Sequence, residues 1–387
     1  MSSRGALRLV VPAVAVLLAM APQAASAHAE VVGSDPSTGS VLAYPPVRVS
    51  VYFTQGVQPF GRGLSVVGPD GRRADSGSVA VSGTRLWVPV AAAGEGTYVV
   101  AWQVIAADTH PSRGSFVFSV GHGSPPALVA PAAGPLGAAL EVAARWLHFA
   151  GFSLGFGTVA FMLLVLPAGR IERLPGLGVV LLLAAEPLAL LAQAASFSPG
   201  AAVDAAALQD ALASPFGRLL GLRLAAALLL WALLGAGAVL RPAILAVGVG
   251  LALVDAAGAH AQALLPGPLA LVVNAAHVAA AATWVGGLAA ILWTWPVERS
   301  VVTRFGRVAL VALAVAVAAG ALLAVSEIVT AGNLLGTGFG LALLAKVGAV
   351  GLAIMAAALG RRRLELGAMA VVLVVAGLLA AVPSPAP

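Results

Sequence analysis

From residue 138 to its end the chain is a succession of long apolar runs, and this constrains the fold more than any other feature. Eight stretches are near the length that crosses a bilayer: roughly 139–166, 176–196, 217–240, 242–262, 268–295, 306–330, 338–360 and 365–382. In hydrocarbon every backbone polar group must be satisfied internally, so runs of this length fold as helices. The composition agrees: 60% of the residues are hydrophobic, 9% are charged and the mean hydropathy is +1.00, outside the range of soluble domains. At Arg241-Pro242 the proline either separates two helices or kinks one.

Arginine placement fixes an expected orientation. Arg170 and Arg173, Arg241, Arg299, Arg304 and Arg307, and Arg361 to Arg363 fall in alternate loops. The intervening loops, 197–216, 263–267 and 331–337, contain no Lys or Arg. The positive-inside rule then puts the arginine-bearing loops in the cytoplasm and whatever precedes residue 138 outside.

The first 27 residues fit that orientation. Arg4 and Arg8 precede an apolar run from Leu9 to Met20, and Ala25-Ser26-Ala27 has the small–x–small form of a signal-peptidase site. Cleavage there would leave His28 with a free α-amine beside its own imidazole. The alternative is an uncleaved first helix.

Residues 28–120 have another character. The β-prone runs "VRVSVYF", "GLSVV", "RLWVPV", "TYVVAWQV" and "GSFVFSV" are punctuated by Gly, Pro and Asp. They predict an all-β Greek-key sandwich or barrel of immunoglobulin-like kind. Six arginines balance six acidic residues over 28–122, so the chain's high pI does not speak for nucleic acid. Residues 121–137 are a Pro/Gly/Ala linker able to reach roughly 50 Å at about 3.1 Å per residue. The expected organisation is a signal peptide (1–27), a β domain (28–120), a linker (121–137) and an all-α polytopic membrane bundle (138–382).

Two sets of residues carry candidate chemistry. In the β domain, the α-amine and imidazole of His28 form a two-nitrogen chelate suited to Cu(II), which favours tetragonal N/O sets. "AADTHPSRG" supplies Asp108 and His110 two positions apart, on one face of an extended chain. The expected set is three nitrogens from His28 and His110 with an oxygen from Asp108. The chain has no Cys, and residues 28–122 have no Met, so a soft Cu(I) site there is not expected.

The second set lies inside the apolar runs, where ionisable groups cost several kcal/mol each and need a partner or a purpose (about 2.5–3.5 on insertion scales). It comprises Arg145, His148, Glu186, Arg218, Arg223, Asp255, His260, His277, Glu327 and Lys346. Most fall in the outer half of the membrane by residue count, and the inner half reads as Ala, Leu, Val and Gly. Two readings stand. His148, His260, His277, Asp255 and Glu327 line a copper path, with Arg145, Arg223 and Lys346 as charge partners. Or the charged groups are structural bridges, such as Asp255 or Glu327 with Arg223 or Lys346. Gly286 and Gly287 mark a close helix–helix approach.

These motifs resemble the copper resistance proteins CopC and CopD, fused in one chain. "HAEVVGSDPSTGSVL" and "GTYVVAWQVIAADTHPSRGSFVFSV" are similar to the mature start and closing strands of CopC, with Thr109 where that family usually has glycine. "RWLHFAGFSLGFG", "GAHAQ", "AAHVAAAATWVGGLAAI", "RFGRVAL" and "GFGLALLAKVGAVG" resemble CopD. The resemblance implies Cu(II) capture outside a bacterial cytoplasmic membrane and a part in copper uptake, homeostasis or resistance. The implied partners are copper and the lipid bilayer, without nucleic acid and without catalysis. Competing expectations are an enzyme with the copper brace of lytic polysaccharide monooxygenases, a haem-binding electron carrier using paired histidines, and a copper sensor that transports nothing.

Overall fold

The computed structural model describes residues 29–91, 94–107, 109, 111–121, 135–166, 171, 173–197, 199–257, 267–328 and 331–381. His28, Asp108, His110 and His260 lie outside the described residues, as does the expected signal peptide. The chain divides into two compact units. One holds residues 29–139 together with 190–218, the other 140–189 with 219–381.

Among the described residues, eight strands form the β domain: β1 (Val31–Asp35), β2 (Val41–Leu42), β3 (Arg48–Phe53), β4 (Val57–Val67), β5 (Ala80–Ser82), β6 (Arg85–Pro89), β7 (Gly96–Ala106) and β8 (Pro111–Val120). They make two four-stranded sheets, ordered β1-β3-β6-β5 and β2-β8-β7-β4. Among the described strands only β2 with β8 is parallel. The five β-prone runs are β3, β4, β6, β7 and β8, several longer than the sequence suggested. The short β1, β2 and β5 carry too few residues to show an alternating pattern.

The sandwich core follows from period-2 alternation. Val49, Val51 and Phe53 of β3 point inward with Leu86 and Val88 of β6, Tyr98 and Val100 of β7, and Phe116 and Phe118 of β8. Tyr98 stacks on Phe118 at 5.0 Å and donates its hydroxyl to Gly94 O at 2.8 Å, which satisfies a polar tip inside an apolar core. Gly114 is opposite Trp102 across the β7–β8 ladder. A Cβ on Gly114 would sit 2.2 Å from the indole ring, so this strand position is open only to glycine.

The helices are α1 (Pro135–Phe152), continued through a π-helical turn (Ser153–Gly157) into α2 (Thr158–Leu164); α3 (Arg173–Phe197); α4 (Ala205–Ala213); α5 (Pro215–Gly235); α6 (Arg241–Ala257); α7 (Gly267–Thr294); α8 (Arg299–Glu327); α9 (Ala331–Gly336); α10 (Gly338–Ala358); and α11 (Arg362–Ala381). Among the described residues, eight helical segments are long and apolar enough to cross a membrane, the first being α1 through α2. This is the make-up of a multi-pass membrane protein. The break between the third and fourth is not at Pro242. It is at Gly237, whose φ of 97° only glycine adopts without strain. Pro242 instead lies in the first turn of α6, where its missing N–H costs no helical bond.

Glycines set the closest helix contacts. A Cβ on Gly157 would lie 1.9 Å from Ala282 O, and one on Gly286 would lie 2.1 Å from Ser153 O. Gly178 would meet Gly155 N at 2.3 Å, and Gly287 would meet the Phe305 ring. Backbones touch at these points because no side chain intervenes.

Candidate copper-capture loop and buried charge cluster

The described neighbours of the expected Cu(II) ligands are tightly held. Ala29 is buried, and its carbonyl accepts from Ser112 Oγ at 3.0 Å. Glu30 N donates to Thr54 Oγ1 at 3.1 Å, and Thr54 N donates to Glu30 O at 2.9 Å. These bonds seat the residue after His28 against β8, whose second residue is Ser112.

Thr109 lies between Asp108 and His110. Its φ is 75°, the only positive value for a non-glycine among the described residues. For a β-branched side chain this is a true outlier, and it gives the physical reason glycine suits the position. Both backbone groups of Thr109 are engaged. Its N–H donates to Ala106 O at 2.9 Å, and its carbonyl accepts from Gln193 Nε2 at 3.0 Å.

The 190–218 segment packs onto the same unit through further contacts. Phe197 stacks on Phe60 at 3.8 Å between centroids, and its carbonyl accepts from Arg113 Nη1 at 2.5 Å. Burial lowers the Arg113 guanidinium from its usual range. Gly61 N donates to Asp210 Oδ2 at 3.0 Å. Asp204 caps α4, accepting from Ala206 N at 2.9 Å.

The membrane bundle gathers four ionisable side chains from four helices. His148 on α1 is enclosed between two carboxylates. Its Nδ1 is 3.1 Å from Glu186 Oε1 on α3, and its Nε2 is 2.8 Å from Asp255 Oδ2 on α6. Arg223 on α5 donates from Nε to Asp255 Oδ1 at 2.7 Å. Carboxylates that accept at both ring nitrogens select the imidazolium, in which both are donors. The cluster then holds two cations and two anions and carries no net charge, which makes its burial tolerable. Glu186 Oε2 is buried with no partner among the described residues. The helices carrying His148 and Glu186 are both irregular nearby. The π turn begins five residues after His148, and Pro187, directly after Glu186, lacks the N–H that would bond Leu183 O.

The other expected residues go elsewhere. Arg145 pairs with Glu141 one turn back at 2.8 Å, not with the cluster. His277 has different partners from His148. Its Nδ1 is 2.7 Å from Ala316 O on α8, and Gly320 leaves room for the ring, since a Cβ there would lie 2.8 Å from His277 Cε1. A carbonyl only accepts, so His277 carries a proton on Nδ1. In the neutral ring its Nε2 then presents a lone pair. Lys346 forms no ion pair among the described residues. Glu327 ends α8. Asp255 with Arg223 is the one bridge of those expected that forms among the described residues.

Three polar groups were not singled out by sequence as site residues. Glu186 stood only among the ionisable groups, although it completes the cluster. Gln193 had no signal beyond being an amide at the end of an apolar run. Glu365 accepts from Trp284 Nε1 at 3.0 Å, and both side chains are buried. Among the described residues no three His, Cys, Asp or Glu side chains are arranged to hold a metal ion.

Residues 31–121 match the CopC domain family. "Copper resistance protein C" of Pseudomonas syringae pv. tomato is 33% identical over 105 residues, which is 25% of this chain and 82% of that protein. "Copper transport protein CutJ" of Bacillus subtilis is 27% identical over 369 residues, covering 86% of this chain and 67% of that protein. The crystal structure of CopC from Methylosinus trichosporium OB3b is 23% identical, with a TM-score of 0.23, over 26% of this chain and 100% of that one.

Proposed function

The chain belongs to the CopC family through residues 31–121, and from that premise we propose that it captures Cu(II) outside a bacterial cytoplasmic membrane and passes copper inward. His28, after cleavage behind Ala27, supplies its α-amine and imidazole; His110 supplies a third nitrogen and Asp108 an oxygen. This nitrogen-rich set is one that Cu(II) favours. The observation that carries the reading is the Ser112–Ala29 hydrogen bond at 3.0 Å. It joins the residue following His28 to the residue two after His110, and adjacent Cα atoms are only about 3.8 Å apart.

The bundle serves as a CopD-like conduit. Its arginine-bearing loops face the cytoplasm. That the relative named a copper transport protein aligns along both halves of this chain supports a joint role. Of the two described membrane histidines, His277 is the better copper ligand, because an Nδ1–H bound to a carbonyl orients Nε2 for a metal. His148 serves copper only if a carboxylate lets go. The protein is a carrier of copper and not an enzyme.

The test is Cu(II) titration with electron paramagnetic resonance on the mature full-length protein. One alanine inserted before His28 should destroy the chelate and cut affinity. His110→Ala should weaken binding more than Asp108→Ala, since water can replace a carboxylate oxygen. Unchanged affinity with the inserted alanine would sink the ligand set. Copper accumulation equal in cells with and without the protein would sink the transport role.

A further inference from the structure

We infer that Gln193, near the end of the second apolar helix, is a positioning residue for the Cu(II)-capture loop. The inference rests on the ligand set proposed above and names a residue outside it that sets its geometry.

The argument starts at Thr109. A β-branched residue at φ 75° is held there against its own preference, because the left-handed region brings Cβ close to the following carbonyl. Such a conformation persists only where the surroundings over-determine it. Two bonds do so. The Thr109 N–H is tied to Ala106 O within the loop. The Thr109 carbonyl is tied to Gln193 Nε2, from a residue 84 positions later in the chain.

The second bond matters for the metal. The carbonyl of Thr109 and the N–H and Cα of residue 110 share one rigid peptide plane. Fixing that carbonyl fixes the plane from which the His110 side chain departs. Asp108 precedes the same strained residue. Gln193 therefore acts on both loop ligands through one backbone group, without touching copper itself.

Gln193 is suited to this. It is 8% exposed, so its bond is shielded from competing water. Its segment is braced against the same unit by the Phe60–Phe197 stack and by Arg113 on the Phe197 carbonyl. An amide is also the right donor, because glutamate in its place would present only acceptors to a carbonyl.

The experiment uses the full-length mature protein in detergent, with Cu(II) as the probe, read by isothermal titration and by the copper hyperfine pattern. Gln193→Ala should lower Cu(II) affinity at least about tenfold, the scale of losing an outer-shell partner, and should shift the hyperfine pattern. The isosteric Gln193→Glu should do the same, and it covers the case in which the alanine variant misfolds. Thr109→Gly removes the strain that the bond opposes. Combined with Gln193→Ala it should return the affinity to within about threefold of the parent, a rescue that a loss of general stability would not show. If the parent binds Cu(II) and both Gln193 variants keep its affinity and spectrum, the inference is overturned while the capture site stands. If the parent binds no Cu(II), the ligand set itself fails and this inference falls with it.

Discussion

Gly157→Ala tests whether the bundle is organised by backbone contact. The added Cβ would meet Ala282 O at 1.9 Å and the Ala282 carbonyl carbon at 2.7 Å. Ordinary contact begins near 3.4 Å, so the π turn and α7 must part by about 1.5 Å. The obstructing atoms are backbone and cannot rotate away. Overpacking costs about 1–3 kcal/mol, and the rigid neighbour puts this case toward the upper end. Alanine recovers up to about 1 kcal/mol of helix propensity, leaving a net loss of about 2 kcal/mol. For a helical unit of this size that is a fall of roughly 4–8 °C in melting temperature. The assay is size-exclusion chromatography of detergent-solubilised protein after a temperature series, scoring the fraction that remains monodisperse. Gly286→Ala, which would meet Ser153 O at 2.1 Å, should behave alike. Gly221→Ala is the control, because nothing lies within 4 Å of its Cβ position. It should be neutral or slightly stabilising. A Gly157→Ala protein as stable as the Gly221→Ala protein would refute the contact geometry.

Two more outcomes follow from the charged groups. Arg223→Met leaves Asp255 with only His148 for a partner, and breaking a buried pair on one side costs about 3–5 kcal/mol; the same thermal assay should show a larger fall than Gly157→Ala, and an unchanged melting temperature would contradict the cluster. In the β domain, burial pushes the Asp75 carboxyl up, but the Arg73 guanidinium and the Val66 N–H at 2.9 Å outweigh it and hold the carboxyl below its usual range. A folded value below the unfolded one, about 3.9, means that the stabilisation is full above that pH and is lost as pH falls through the folded value. Thermal scans from pH 6 downward, each value taken as roughly spanning the unfolded pKa, should show this loss in the parent and not in Asp75→Asn.

Sequence alone carried the architecture because both halves follow local rules. Alternation in "VRVSVYF" fixes which β3 residues face the core, and apolar length alone delimits eight spans. Boundaries failed where a single torsion decides them: proline at 242 looked like the break, yet Gly237 is the residue free to turn. The candidate site divides the same way. His148, Asp255 and Arg223 stood out because charge is rare in apolar runs. Their pairing did not, since Arg223 and Asp255 are 32 positions apart and His148 and Asp255 are 107 apart. Lys346 and Arg145 were equally plausible partners on paper. Gln193 was invisible because an amide donating to a backbone carbonyl leaves no pattern in either segment.

The two described membrane histidines differ in a way that bears on how copper would cross. His277 spends one nitrogen on a backbone carbonyl, and a carbonyl asks nothing of the ring's charge. Its second nitrogen can take a metal with no ion pair broken. His148 spends both nitrogens on carboxylates, one of which also neutralises Arg223. For His148 to accept copper, a ring proton must leave and a carboxylate must swing away, and the cluster's charge balance changes with each. Its cheaper carboxylate to release is Glu186, which makes one hydrogen bond where Asp255 makes two. Glu186 also precedes Pro187, where the helix already lacks a bond. A bundle with this arrangement holds His148 closed to metal in the conformation described. Copper passage by way of His148 would therefore require Glu186 or Asp255 to release the ring, whereas passage by way of His277 would break no ion pair.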